Sequence, residues 1–511
     1  MLKGLRTPQG TLNPFCLYSA WFRAILNVHR AHLVPTPLGD PGMRLNGKHL
    51  RRVHFIGVSG IGVSAAASIS LEEGLEVSGS ADVRNEQTDM LAAKGMDFFL
   101  GHRAQNLGGA EWVVRSAAVP DDNPEVLEAK RREVPVCFYS EYIGLLMGEK
   151  KGIAVAGTHG KTTTTALVAS ILSASRLDPT VVCGGVMRNF GTNAVHGKGE
   201  YFVAEACEYN RSFHDLKARY SVVTNIEPDH LDYYKDLEEI REAFLFFLTS
   251  SDRRGLCVLN GDDANVRALL GKLGGREFYT VGTDERNDYR IEGIESREGL
   301  YSCSVTRGGS GLLALGLSIP GRFNCWNAAL ASVLALRIGV ERKVIEGAVK
   351  GFFGTKRRLE RLGTARGREI YSDYAHHPTE IRSSLRAVRE RHPGAEITLV
   401  FQPHQFSRTI ELFDDFVSVL SEPDRLLLVE IYWQRDSERY LKRIGGEDLF
   451  KAVQKKKSGG GPTRAFFIPD KKDVPRFLDT LPDAAGVVVF MGAGDVDDVA
   501  RSYAAAAGGA I

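Results

Sequence analysis

No stretch of the 511 residues reaches the roughly 18–20 consecutive apolar side chains that a membrane-spanning helix needs. No CxxC pair occurs either, and the seven cysteines (Cys16, Cys137, Cys183, Cys207, Cys257, Cys303 and Cys325) are scattered and odd in number. That argues against a disulfide framework and a structural zinc site, and for reduced thiols in a cytoplasm. An excess of one charge is missing too: 65 Lys and Arg face 63 Asp and Glu, a formal net charge of +2. The chain therefore carries no global electrostatic signal for nucleic acid. Asn13–His29 is the nearest approach to a targeting segment, but Arg23 interrupts it and no convincing small-residue cleavage site follows, so a signal peptide is rejected.

What is present is the composition of a globular enzyme, 43% hydrophobic and 25% charged, at a length that implies two to four domains. Residues 1–50 lack periodic patterning and read as an extension. Strand-like runs then alternate with helical ones, the pattern of α/β units with mainly parallel sheets. Residues 51–149 open on the strand Val53–Gly57, a glycine-rich turn and a helix from Ile61. Residues 150–353 repeat the device from Gly152 and include strands at Tyr201–Glu205, Ser221–Asn225 and Gly255–Leu259. A hairpin-like pair at Tyr301–Thr306 and Leu312–Ile319 follows, then a helix over Asn324–Gly339. Residues 354–511 carry strands at Glu369–Asp373, Glu396–Gln402, Arg425–Ile431 and Gly486–Met491, with Lys455–Gly461 as a surface loop.

The strongest local signal is Gly157-Thr158-His159-Gly160-Lys161-Thr162-Thr163, set between a strand and a helix. Glycines let successive backbone N–H groups turn toward one anion, and the helix N-terminus adds its dipole. Lys161 can reach terminal phosphates and the Thr162 hydroxyl can ligate Mg²⁺. Val155 stands where the general phosphate-loop pattern has its first glycine.

This form of the loop resembles that of the Mur ligases, and the resemblance extends over residues 52–500. It implies a three-domain α/β protein: a Rossmann-like UDP-binding domain, a central P-loop ATPase-like domain and a C-terminal Rossmann-like domain. It also implies ATP and Mg²⁺. Glu205 and His230 match the family's metal positions, and a carboxylate and an imidazole suit a cation beside the γ-phosphate. Asn324 and Asn327 resemble the adenine-side asparagines, Arg358 an arginine that reaches the phosphates from the third domain, and Asp373 a ribose contact.

In the first domain, Ser59, Gly60, Ile61 and Gly62, together with Ser80, Asp82, His102 and Ser116, resemble the UDP-sugar site. In the central domain Thr192 and Asn193 match the sugar-facing loop. Ser59 and Val63 replace a glycine and a methionine of the family pattern, Ala81 falls where aspartate is usual, and Cys207 and Asn210 depart from Asp-Glu-Ser-Asp. The alanine-adding branch is indicated by Asp373–Pro378 and Phe401–Thr409: by that resemblance Tyr374, His376, His404 and Arg408 surround the amino acid. Gln405 stands in for a second arginine, and Leu245 occupies the place of a carbamylated lysine found in other branches.

The implied reaction is ATP-dependent ligation of L-alanine to the carboxylate of UDP-N-acetylmuramate through an acyl phosphate, with Lys161, Glu205, His230, Arg358 and His376 as catalytic candidates. The alternatives are a recycling ligase that adds a tripeptide to the same UDP-sugar, an NAD-linked oxidoreductase resting on Gly57–Gly62 and Asp82, and a nucleotide-gated switch. No nucleic-acid partner and no membrane insertion are expected. Because residues 1–50 match no motif, deleting them is expected to leave turnover within a few-fold, measured as phosphate release. A soluble but inactive truncation would contradict this.

Overall fold

The computed structural model describes residues 43–45, 48–433, 440, 443–457, 464–482 and 486–506. Segment Asn13–His29 and most of the expected extension therefore lie outside the described residues. The extension as expected runs too far, however. Met43–Leu45 pairs antiparallel with Lys48–Leu50, and Leu50 is buried in the first core. A truncation through residue 50 removes a core side chain, so the tolerated cut ends before Met43.

Three sheets follow, each built where β-branched and aromatic runs meet glycine turns. The first is wholly parallel, in the order Asp97–Leu100, Glu76–Ala81, Arg52–Ile56, Trp112–Arg115, Val136–Phe138. Chain order reverses between Arg52–Ile56 and Trp112–Arg115. The crevice beyond the carboxyl ends of those two strands is thus the topological switch point, where such sheets bind ligands.

The central sheet has ten strands. Lys151–Ala156 lies between Tyr201–Glu205 and Ala218–Val223, all parallel, and an antiparallel meander, Tyr289–Arg297, Leu300–Arg307 and Ser310–Pro320, completes one end. The third sheet has six strands, parallel except for the edge pair Glu360–Ala365 with Arg368–Asp373. The α/β class with mainly parallel sheets holds. Two local expectations do not: Tyr289–Arg297 is a strand the sequence reading passed over, and Lys455–Lys457 end a helix rather than starting a loop. The rest of that expected loop, 458–461, is outside the described residues. Among the described residues no helix is long and apolar enough to cross a membrane.

The two seams between these units differ in kind. One apolar core runs unbroken from Phe55, Tyr142 and Met147 of the first unit to Phe213, Phe244 and Phe247 of the central one. Helix Tyr139–Gly148 carries that seam, and at Gly144 a side chain would collide with the backbone carbonyl of Asp215. The third unit keeps its own cores on the two faces of its sheet and meets the central unit through polar groups. Examples are Tyr301 to Glu390 at 2.5 Å, Thr379 to Glu227 at 2.9 Å and Arg408 to Asp229 at 2.9 Å. An apolar seam resists opening, whereas a polar one exchanges its contacts with water at little net cost. Gly144→Ala is accordingly expected to lower stability by about 1–3 kcal/mol through overpacking, read by urea or thermal denaturation. Unchanged stability would show that the first seam gives way easily.

Candidate active site

Strand Lys151–Ala156 and helix Lys161–Ala174 hold the phosphate loop between them. Gly157 and Gly160 have φ of 136° and 82°, backbone that L side chains rarely adopt. A side chain at Gly160 would also sit 2.6 Å from Asn327 Oδ1, so the glycine permits close approach of helix Asn324–Arg337. Lys161 Nζ folds back to donate to Gly157 O at 2.6 Å and Thr158 O at 3.0 Å, and it pairs with Glu208 at 2.9 Å. Burial disfavours its charge, but Glu208, Cys207 and Glu205 outweigh that and raise its pKa.

Of the expected metal set, Thr162 and Glu205 are hydrogen-bonded to each other, and His230 has further acidic neighbours. Thr162 Oγ1 donates to Glu205 Oε1 at 3.0 Å, and Gly184 N donates to Glu205 Oε2 at 2.7 Å. His230 shares a cluster with Glu208 and Asp229, whose ligand-type atoms lie within 4.8 Å of one another. Glu208 is buried, and its Oε2 accepts no hydrogen bond although it faces Lys161. Carboxylates and an imidazole of this kind fit a divalent cation. His230 also has φ 54°, and Arg357, Leu359 and Gln405 on the facing third unit share its left-handed conformation. Backbone strain of this sort gathers where packing over-determines a site.

A cavity of about 480 Å³ opens beside the loop, lined among others by His159, Gly160, Thr163, Asn324, Asn327, Arg358 and Asp373. The expected nucleotide residues are thus brought together, but their polar atoms are already engaged. Asn327 Nδ2 donates to Asn324 Oδ1 at 2.9 Å, and Asn324 Nδ2 donates to Pro320 O at 2.7 Å. Asp373 accepts from Leu359 N at 2.8 Å, Ala375 N at 2.7 Å and Ser384 at 3.2 Å. Burial pushes Asp373 up to about 6, against the pull of Arg358. Arg358 reaches across the seam to Thr162 Oγ1 at 3.4 Å.

Tyr374, His376, His404 and Arg408 also meet. Ring centroids are 5.4 Å apart for Tyr374 and His376 and 6.0 Å for His376 and His404, and Arg408 Nη1 lies 3.3 Å from His404 Nδ1. Burial pushes His376 down to about 3 despite Glu380, so its ring is neutral. Arg408 is buried, and its Nη2 donates to Asp229 Oδ1 at 2.9 Å.

In the first unit the loop amides Gly57 N and Val58 N both donate to Ser80 O, and Asn85 Nδ2 donates to Ser59 O at 3.0 Å. Gly62 packs against the Tyr139 ring, which a side chain would meet at 2.9 Å. Asn193 Nδ2 donates to Ile61 O at 2.6 Å, tying the central unit to that helix start, and Thr192 Oγ1 accepts from Ala194 N at 3.2 Å. Ser116 closes the strand Trp112–Arg115 next to this loop. Asp82 is largely exposed and its carboxylate lies 3.5 Å from His102 Nε2.

Sequence reasoning singled out neither Glu208 nor Asp229, Glu227 or Glu380. The first lies three positions after Glu205 and the second beside His230, so spacing was the available signal. His159 Nδ1 lies 3.2 Å from Glu380 and Nε2 3.5 Å from Glu227. Burial opposes its charge, but the two carboxylates win and raise His159 to about 9.

A folded value above the unfolded 6.5 means that the stabilisation is fully present below pH 6.5 and is lost as pH rises through about 9. Wild-type stability is therefore expected to fall by on the order of 2 kcal/mol over that window from this group. The fall should shrink in His159→Gln, and identical melting profiles would contradict the pairing.

Models of the Mur ligase family match three consecutive stretches: the family's catalytic domain at residues 52–151, its middle domain at 155–335 and its glutamate ligase domain at 357–494. The UDP-N-acetylmuramate–L-alanine ligase of Aquifex aeolicus is 40% identical over 449 residues, covering 88% of this chain and 96% of its own. That of Burkholderia multivorans is 39% identical over 459 residues, 88% of this chain and 97% of its own. Among solved structures, the UDP-N-acetylmuramate–alanine ligase of Thermotoga maritima superposes with a TM-score of 0.76 at 30% identity, over 90% of this chain and 99% of that one. A murein peptide ligase from Psychrobacter arcticus shares the fold, with a TM-score of 0.68 at 21% identity.

Proposed function

The chain belongs to the Mur ligase family, and from that premise we propose that it joins L-alanine to the carboxylate of UDP-N-acetylmuramate with ATP as energy source, in peptidoglycan precursor synthesis. The observation that carries the reading is a phosphate-loop cavity on the central unit and, on the third unit, the cluster of Tyr374, His376, His404 and Arg408, tied to the central unit by the ion pair of Arg408 with Asp229. We place the reaction in the cytoplasm, with the UDP-sugar on the first unit's glycine loop, Ser80, Asp82, His102, Ser116, Thr192 and Asn193.

A carboxylate is a poor acyl donor until an oxygen is made a leaving group. The muramate carboxylate attacks the γ-phosphorus of ATP, the bond to the β–γ bridging oxygen breaks, and ADP leaves an acyl phosphate behind. Lys161, Arg358 and the amides of Gly157–Thr163 supply positive charge where negative charge spreads over the transferring phosphoryl oxygens. Thr162, Glu205, Glu208 and His230 would hold Mg²⁺, which when bound neutralises part of the triphosphate charge. Lys161 must leave Glu208 to reach a phosphate.

Alanine's amine, once deprotonated, adds to the acyl carbon, and the tetrahedral adduct expels inorganic phosphate. Arg408 holds the amino-acid carboxylate. His376 is neutral and can accept a hydrogen bond from the nitrogen, but a value near 3 makes it a relay rather than a resting place for the proton. Tyr374 and His404 wall the pocket.

Phosphate release from ATP and UDP-N-acetylmuramate should require alanine, and a tripeptide should not replace it. Preference for the tripeptide would move the assignment to the recycling ligases. Arg408→Lys keeps the charge but loses the planar fork, so KM for alanine should rise roughly ten- to a hundredfold with the other two nearly fixed. If all three rise together, Arg408 is a seam residue only.

A further inference from the structure

Three strands of the first sheet, or the turns that follow them, deliver residues to one fully buried carboxylate that the ligation chemistry does not use, Glu125. Ser80 Oγ, closing one strand, donates to its Oε2 at 2.6 Å. His102, following the next strand, brings Nδ1 to 3.0 Å from the same oxygen, and Asn106 Nδ2 donates to Oε1 at 2.6 Å. His54, on the strand before the glycine loop, has Nε2 at 3.7 Å. Glu125 itself stands in the first turn of helix Pro124–Arg131, where Asn123 Oδ1 caps its N–H at 2.9 Å. No Lys or Arg pairs with it in the described structure, so the anion is held by neutral donors and imidazoles. A buried charge costs free energy unless hydrogen bonds compensate it, and Ser80, His102 and Asn106 supply them here.

We infer that Glu125 is a positioning residue for nucleotide-base recognition, holding His102 with its Nδ1 proton consumed inside the unit and its Nε2 left on the Asp82 side. The inference rests on the first unit being the UDP-sugar site. A bare Nδ1 lone pair 3.0 Å from a carboxylate oxygen would be repelled, so Nδ1 carries the proton, as it does where a carboxylate orients a metal-binding histidine. That leaves Nε2 bare, 3.5 Å from the exposed Asp82 carboxylate. A bare Nε2 accepts a hydrogen bond, which suits the single N–H of uracil's imide edge. Glu125 touches no substrate in this arrangement and acts through His102 and Ser80. Burial opposes the charge of Glu125, but His54, Ser80 and Asn106 outweigh it and hold its pKa down at about 2, which keeps it ionised.

The test is calorimetric titration of UDP into the full-length protein without ATP, with E125Q, H102A and the double variant. E125Q preserves shape and removes charge. It should weaken UDP roughly ten- to a hundredfold and raise KM for UDP-N-acetylmuramate, while kcat and the KM values for ATP and alanine hold. In the H102A background E125Q should add little, because the effect is transmitted through the missing ring. Full additivity, or a parallel rise in all three KM values, overturns the inference by making Glu125 structural. The ¹⁵N spectrum of wild-type His102 is read independently of any variant: a protonated Nδ1 is expected, and a bare Nδ1 overturns it even if E125Q fails to fold. If wild-type protein and H102A bind UDP equally, the nucleotide reading of this unit falls first and takes the inference with it.

Discussion

The ion pair between Arg408 and Asp229, buried on both sides, joins the two halves of the chemistry. Asp229 is the neighbour of His230 in the metal-type cluster, and Arg408 belongs to the cluster of Tyr374, His376 and His404. A buried charge is tolerable only when it is paired. Each cation in the proposed mechanism is matched by an internal carboxylate: Lys161 by Glu208, Arg358 by Glu380, and Arg408 by Asp229. Substrate phosphates and carboxylates are the natural replacements for those internal anions, because they offer the same charge at the same places.

This arrangement explains why the two seams are built differently. The first and central units share one apolar core, which keeps the glycine loop Gly57–Gly62 in fixed register with the phosphate loop. The third unit is held through polar contacts that substrates can exchange, the usual character of an element that closes and reopens during turnover. Strained backbone at His230 and on the facing third unit lies along that exchangeable seam.

How much of this was legible beforehand follows the same division. The phosphate loop was readable because its device is local: a strand, two glycines and a helix within a dozen or so residues. The parallel α/β class was readable from alternating apolar runs. Glu208 and Asp229 lie within three positions of residues the sequence did mark, but their partners, and those of Glu380, are set only when loops from separate strands meet. Strand Tyr289–Arg297 escaped notice because a bulge between Glu292 and Glu295 breaks the alternation that Tyr289 and Ile291 begin. Cys207 and Gln405, which depart from the family pattern, stand beside Glu208 and Arg408, so those substitutions alter the surroundings of the charged pairs rather than the pairs themselves.

Whether these charges serve phosphoryl transfer to the sugar's carboxylate is most directly tested by isotope transfer. UDP-N-acetylmuramate labelled with ¹⁸O in its carboxylate should, on ligation to alanine, pass one labelled oxygen to inorganic phosphate for each amide bond formed, with none in ADP. Label absent from phosphate, or found on the nucleotide, would contradict activation as an acyl phosphate.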